Sequence, residues 1–246
     1  MGFFSSIFQK PQTSSIEHLL VDIHSHLLPG IDDGAPTLDH TIGMIRKFHE
    51  LGYRKLIMTP HVMSGVYDNT PEIIQEKLAL VKSTLSQLQI SMELEASAEY
   101  FFDETFLDKI NKNELLPFHG NHILFEFSFH NQPDRIEDLV FLLKTKGFQP
   151  VLAHFERYMY FHPSIEMATK LRERGCLIQV NWNSFTGHYG PAVQAQAFRL
   201  LKAGLIDILG SDCHRIEHLN MLNRFLESKQ AQKVLSRQYL NASFFS

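Results

Sequence analysis

The chain has 246 residues, 44% apolar and 20% charged, with a formal net charge of −4. That profile suits a globular protein able to bury a sizeable core, and no block of consecutive Lys or Arg is present to track a nucleic-acid backbone. No apolar run approaches the roughly 20 residues that span a bilayer, and two cysteines, Cys176 and Cys213, are too few for a disulfide scaffold and fit a reducing, cytoplasmic compartment.

Residues 1–18 read as an N-terminal extension. They are apolar at the start but lack the basic region and long apolar stretch of a signal peptide. Gly2 and Ser6 match the short myristoylation pattern. The preferred reading is a loosely docked terminus, with weak contact of its Phe residues to a membrane or a partner as the alternative.

From residue 19 to 246 one domain is expected. Seven strand-like runs follow in order: Leu19 to His24, Lys55 to Thr59, Met92 to Ala98, Ile123 to Phe127, Pro150 to Ala153, Cys176 to Val180 and Asp207 to Leu209. Between them lie amphipathic helical patterns over Thr37 to Leu51, Pro71 to Leu88, Arg135 to Lys146, Ser164 to Arg174 and Ala192 to Ala203. Gly52, Gly147, Gly175 and Gly204 each follow one of these patterns, where a residue tolerant of positive φ ends a helix. Alternation of this kind predicts βα units around a parallel sheet. A final helix from Asn220 to Leu240 is expected to close the barrel or pack beneath it.

Fourteen histidines stand out, and cation-binding residue types recur at the ends of the apolar runs. They are His24 and His26, the Asp32-Asp33 pair, His61, Glu99, Glu126, His154, and Asp212 with His214. A single buried histidine more often hydrogen-bonds a carbonyl. Recurrence at one structural position predicts several strands delivering imidazole and carboxylate to one rim, where borderline divalent cations prefer nitrogen and oxygen. Residues i and i+2 of a strand share a side, so His24 and His26 can grip one cation. Asp22 is expected to orient His24 from behind. One of Asp32 and Asp33 becomes a natural ligand, and Glu126, set among Ile123, Leu124, Phe125 and Phe127, is costly to bury unless salt-bridged or metal-bound. These residues point to a multinuclear metallohydrolase.

Four motifs then carry a resemblance: Asp22-Ile23-His24-Ser25-His26-Leu27-Leu28-Pro29-Gly30-Ile31-Asp32-Asp33-Gly34, Thr59-Pro60-His61, Ala153-His154-Phe155-Glu156-Arg157-Tyr158 and Ser211-Asp212-Cys213-His214. In this order they closely resemble the manganese-dependent tyrosine-protein phosphatases that control bacterial capsule and exopolysaccharide synthesis, within the polymerase and histidinol phosphatase (PHP) family. The resemblance implies an α/β fold, a distorted (β/α)7 TIM-like barrel holding three divalent metal ions, manganese first, with iron, zinc, magnesium or cobalt as alternatives. By position, His24, His26, Glu99 and Asp212 would hold one ion. Glu99 would bridge to a second, held also by Glu126 and His154, and Asp33, His61 and His214 would hold the third. Arg157 would bind the substrate phosphate, and it and Asp212 are the expected catalytic residues. Relatives commonly carry an Arg-Pro-Pro run after the last motif. Here Arg215-Ile216-Glu217 follows instead, leaving Arg215 as a shifted substitute.

The implied charges balance. Four carboxylates against three divalent cations leave about two positive charges for a phosphate dianion, with Arg157 adding a forked donor. The leading expectation is a cytoplasmic protein-tyrosine phosphatase, its partner the phosphotyrosine-containing tail of a tyrosine autokinase. Phe155, Tyr158, Tyr160, Phe161, Phe185 and Tyr189 are candidate cleft walls, with core packing as the alternative. Two other readings stay open: a phosphoesterase for a small ester such as histidinol phosphate or for a nucleotide or nucleic-acid end, and a catalytically weak regulatory binder.

Overall fold

A computed structural model describes residues 20–245; the N-terminal extension, with Gly2 and Ser6, lies outside the described residues. The first strand, β1 (Val21–Asp22), leads through a turn to α1 (Leu38–Glu50). Next come β2 (Lys55–Met58), β3 (His61–Val62), α2 (Pro71–Gln87), β4 (Glu93–Ala96), β5 (Glu99–Phe101) and α3 (Glu104–Lys112). The second half runs β6 (His122–Glu126), α4 (Ile136–Thr145), β7 (Gln149–Leu152), α5 (Glu166–Glu173), β8 (Leu177–Asn181), α6 (Trp182–Phe185) and α7 (Pro191–Ala203). It ends with β9 (Ile208–Gly210), α8 (Ile216–Leu226) and α9 (Lys229–Leu235).

Local chemistry sets these boundaries. Thr37, Thr70 and Asp103 accept the backbone N–H groups of His40, Ile73 and Phe106, capping α1, α2 and α3. Gly52, Gly147, Gly175 and Gly204 all have positive φ, as expected after helices. Helix α1 buries Thr41, Ile42, Met44, Ile45 and Phe48, a stripe at helical spacing. The seven expected strands and five expected helices are present, and α3 and α6 are additional. For α3 a sequence cue existed, since Asp103 precedes an amphipathic run that Asn113 closes in the left-handed region.

Every strand pair is parallel, in the orders β1-β2-β4 and β3-β5-β6-β7-β8-β9. The two sheets are one curl interrupted twice. Pro60 cannot donate to a ladder, yet Glu99 N donates to Pro60 O and Ser97 N to Met58 O, so the sheet resumes beyond each break. The two ends of the curl meet near the rim, where Asp212 N donates to His24 O at 2.8 Å and His26 N to Cys213 O at 2.9 Å. Lower down a side chain spans the gap: Asn241 accepts from Leu209 N and donates to Val21 O and Leu209 O. The expected closing helix over 220–240 is therefore corrected. That stretch holds most of α8 and all of α9, and the bridging residue comes from the 3-10 turn Leu240–Phe245.

Two apolar layers stack on the sheet. The larger packs the helices against its outer face. The smaller contains Val21, Ile23, Ile57, Leu124, Val151, Ala153 and Ile208 with Phe118 and Phe244. Leu124 precedes Glu126 by two residues, so this cluster and the rim groups share one face.

Gly34 is fixed by space. A Cβ there would stand 2.0 Å from His26 O, in the turn where Ala35 N donates to the same oxygen. Gly34→Ala should destabilise the protein by about 2–3 kcal/mol in urea unfolding, since overpacking typically costs 1–3 kcal/mol. Gly43→Ala, at an exposed position of α1 with nothing near a new Cβ, should stabilise by about 0.5–1 kcal/mol. Equal effects from the two substitutions would contradict the close approach.

Candidate metal centre

Nine expected ligands come from seven places along the curl and converge at its C-terminal rim. His24 and His26 follow β1, Asp33 lies in the next turn, His61 opens β3, Glu99 opens β5 and Glu126 ends β6. His154 follows β7, and Asp212 and His214 follow β9. Four overlapping groups form: His26 with Asp33, His61 and His214; His24 with Glu99 and His154; His24 and His26 with Asp212; and His61 with Glu99 and Glu126. Within each group the ligand atoms lie within 4.8 Å of one another.

The ring orientations explain what these atoms can do. His26 Nδ1 lies 2.8 Å from Asp32 Oδ2 and His24 Nδ1 lies 3.0 Å from Gln179 Oε1. Each ring thus spends its Nδ1 proton outward and turns Nε2 inward. The two Nε2 atoms are 3.2 Å apart and both face Glu99 Oε2, at 3.2 and 3.4 Å, and Asp212 Oδ1, at 3.6 and 3.4 Å. His61 Nδ1 is 3.1 Å from both Glu99 Oε2 and Glu126 Oε1, and His154 Nε2 is 2.9 Å from Glu99 Oε1. On the outer side Asp33 Oδ1 lies 3.3 Å from His214 Nε2 and 3.5 Å from His61 Nε2.

Electrostatics point the same way. Burial pushes the Glu99 carboxyl up, but His24 and His61 outweigh it and hold the group well below the usual carboxylate range. Burial also raises Asp212, and His24, His26, His214 and Arg157 bring it far down. Burial lowers His154, but hydrogen bonds to Glu126 and Glu99 lift its imidazole to about 9. Asp33 is pulled down to about 2, first by its hydrogen bond to His214. Anionic carboxylates thus face imidazoles holding protons that a divalent cation would replace. The donor set fits such a cation by a further test: Glu99 Oε2 and His61 Nδ1 are buried without a hydrogen-bond partner although 3.1 Å apart.

His154 and Asp212 have φ of 33° and 49°, a left-handed conformation costing about 1–3 kcal/mol in a non-glycine residue. Both are held there through their own N–H groups, His154 N donating to Gln179 Oε1 and Asp212 N to His24 O, each at 2.8 Å.

Arg157 stands beside the cluster. Its Nη1 donates to Asp212 Oδ2 at 3.0 Å, and its guanidinium carbon lies 4.3 Å from the Phe129 ring centre and 4.4 Å from that of Tyr189. Stacked between two rings, the fork keeps one plane, with donors left for an anion. Tyr189 therefore borders the site, as expected of a wall, and Phe129 is a wall that the sequence reading missed. Phe155, Tyr158, Phe161 and Phe185 are buried in the core and are corrected as cleft walls; Tyr160 is partly buried against Tyr158 and Phe161. Asp22 is likewise corrected: both its oxygens accept from Ser211, and Gln179 orients His24 instead. Asp32, adjacent to the expected ligand Asp33, orients His26. Arg215 is exposed at the start of α8.

Comparisons with known proteins identify the family. The profile of a family described as capsular polysaccharide synthesis, CpsB/CapC, matches residues 20–243. The tyrosine-protein phosphatase YwqE of Bacillus subtilis is 31% identical over 221 residues, covering 89% of this chain and 85% of its own. The tyrosine-protein phosphatase CpsB of Streptococcus pneumoniae is 24% identical over 226 residues, covering 89% of this chain and 91% of its own. A crystal structure from the study of YwqE and CpsB, described as unique metal-dependent tyrosine phosphatases, superimposes with a TM-score of 0.78 at 28% identity, over 92% of this chain and 95% of that one. Sequence and fold agree over nearly the whole described length, and the chain belongs to the CpsB/CapC family.

Proposed function

We propose that this chain is a metal-dependent protein-tyrosine phosphatase whose rim holds three divalent cations, manganese by preference. One observation carries the reading: nine candidate donors, all but Asp33 buried or partly buried, converge around ligand atoms without hydrogen-bond partners, directly beside a clamped arginine. His24, His26, Glu99 and Asp212 would hold the first cation, Glu99, Glu126 and His154 the second, and Asp33, His61 and His214 the third. When bound, the cations supply Lewis acidity, drawing charge from the phosphate and acidifying water.

The chain's own residues do the rest. Arg157 binds phosphate oxygens with the donors that Asp212 leaves free, and Phe129 and Tyr189 keep its plane fixed as charge spreads over the phosphoryl group. A tyrosyl oxygen, with a pKa of about 10, departs with modest help. The site opens where Asp33 is 53% exposed and Arg157 24% exposed in their side chains, which suits an extended tail. The relatives named as tyrosine-protein phosphatases and the capsule-related family support a substrate of this class. We assign it as the phosphotyrosine tail of a tyrosine autokinase, met in the cytoplasm. Among the described residues no helix is long and apolar enough to cross a membrane. Taking β2 with β3, and β4 with β5, as single interrupted strands gives the seven of a (β/α)7 barrel, within a domain spanning residues 19–246.

Arg157→Lys should lower kcat/KM on a phosphotyrosine peptide about 100-fold, in the range for removing one preorganised donor, while manganese content stays at the wild-type level. Undiminished turnover would remove Arg157 from phosphate binding. Manganese-reloaded protein should also release phosphate from that peptide faster than from histidinol phosphate. The reverse order would favour a small-ester phosphatase, and no turnover of either a regulatory binder.

A further inference from the structure

Behind the rim lies a pair of buried amides that the proposed chemistry does not use, Gln179 and Asn181 of β8, both fully buried. Three hydrogen bonds join them to the site and a fourth joins them to each other. Gln179 Oε1 accepts from His154 N at 2.8 Å and lies 3.0 Å from His24 Nδ1. Gln179 Nε2 donates to Asn181 Oδ1 at 2.9 Å, and Asn181 Nδ2 donates to Asp212 Oδ2 at 2.7 Å.

A backbone N–H can only donate, so the atom of Gln179 facing His154 N must be the oxygen. Every later choice follows. The oxygen obliges His24 to carry its proton on Nδ1, which turns a lone pair at Nε2 toward the cluster. The nitrogen of Gln179 obliges Asn181 to present Oδ1 to it, which points Asn181 Nδ2 at Asp212. A primary amide has both a donor and an acceptor end and keeps them at any ordinary pH, unlike the carboxylate that more often backs a metal-bound imidazole.

We propose that Gln179 and Asn181 are positioning residues forming a directional amide relay: the main-chain N–H of His154 sets its sense, and the relay fixes the tautomer of His24 and the pose of Asp212. The inference rests on the metal-centre reading for its effect on function, while the relay itself exists without metal.

Two measurements test it. In metal-free wild-type protein, ¹⁵N NMR of the imidazoles should find the His24 proton on Nδ1; a bare Nδ1 with the proton on Nε2 overturns the relay. The second is a double-mutant cycle read as manganese affinity. Gln179→Glu keeps an oxygen for His24 and His154 but replaces the donor to Asn181 with an acceptor. Asn181 must then turn its nitrogen away from Asp212 and set an oxygen against the carboxylate. The expected loss is about 10- to 100-fold, the usual range for a group behind a metal ligand. In an Asn181→Ala background the same change should cost less than about threefold, because no amide remains to turn. Equal losses in both backgrounds would overturn the relay and leave two independent contacts. A wild type that binds no manganese would count against the metal centre, and the imidazole spectrum would still decide the relay.

Discussion

Gathering four carboxylates and five imidazoles at one buried rim is the constraint on which the rest of the structure depends. Burial pushes the Glu126 carboxyl up, and the neighbouring Glu99 carboxylate pushes it up further; His154 and His61 bring it back below the usual range. Like charges in a low-dielectric site are tolerable only when opposite charges are held beside them. In the free protein, protons held by His26, His61 and His154 beside these carboxylates contribute to that balance. Divalent cations would provide it in the loaded one, and exchange between the two ties the site's occupancy to its protonation.

Holding so many groups in register requires a scaffold that cannot relax. A parallel curl supplies it, because the ends of β1, β3, β5, β6, β7 and β9 deliver the donors while the small apolar cluster below them locks strand positions. Local conformation is bent to serve the site: His154 and Asp212 occupy left-handed backbone, and Gly210 must lack a side chain, since a Cβ there would lie 2.7 Å from Gln179 Nε2 and 2.9 Å from His24 Cβ. The partners that aim the donors, Asp32 behind His26 and Gln179 behind His24, occupy the space such a fold leaves at the base of its loops.

Much of this was legible in the sequence because a donor at the end of an apolar run announces both its strand and its rim. The candidate donors that meet at the rim and the alternating elements could be read that way, while the motif resemblance supplied Arg157, the choice of Asp33 over Asp32 and the assignment of donors to ions. What escaped depends on contacts across the sheet. Strand periodicity says which face Gln179 and Asn181 occupy but not what stands opposite, so they read as ordinary polar residues. Asp22 and Asp32 are each an acid near a histidine in sequence, and only the path of the turn through Gly34 decides that Asp32 meets His26 while Asp22 meets Ser211. Phe129 lies in a loop without periodicity. The bridging Asn241 comes from a terminal turn, where a single side chain replaces ladder bonds that no pattern of residues records.

The most direct test of the central claim is anomalous diffraction at the manganese edge from crystals grown with manganese. Three peaks, each within coordination distance of its assigned donors and together engaging all nine, are the predicted result. No peak at the rim, or peaks bound elsewhere while Glu99 and Asp212 remain paired only with imidazoles, would contradict it.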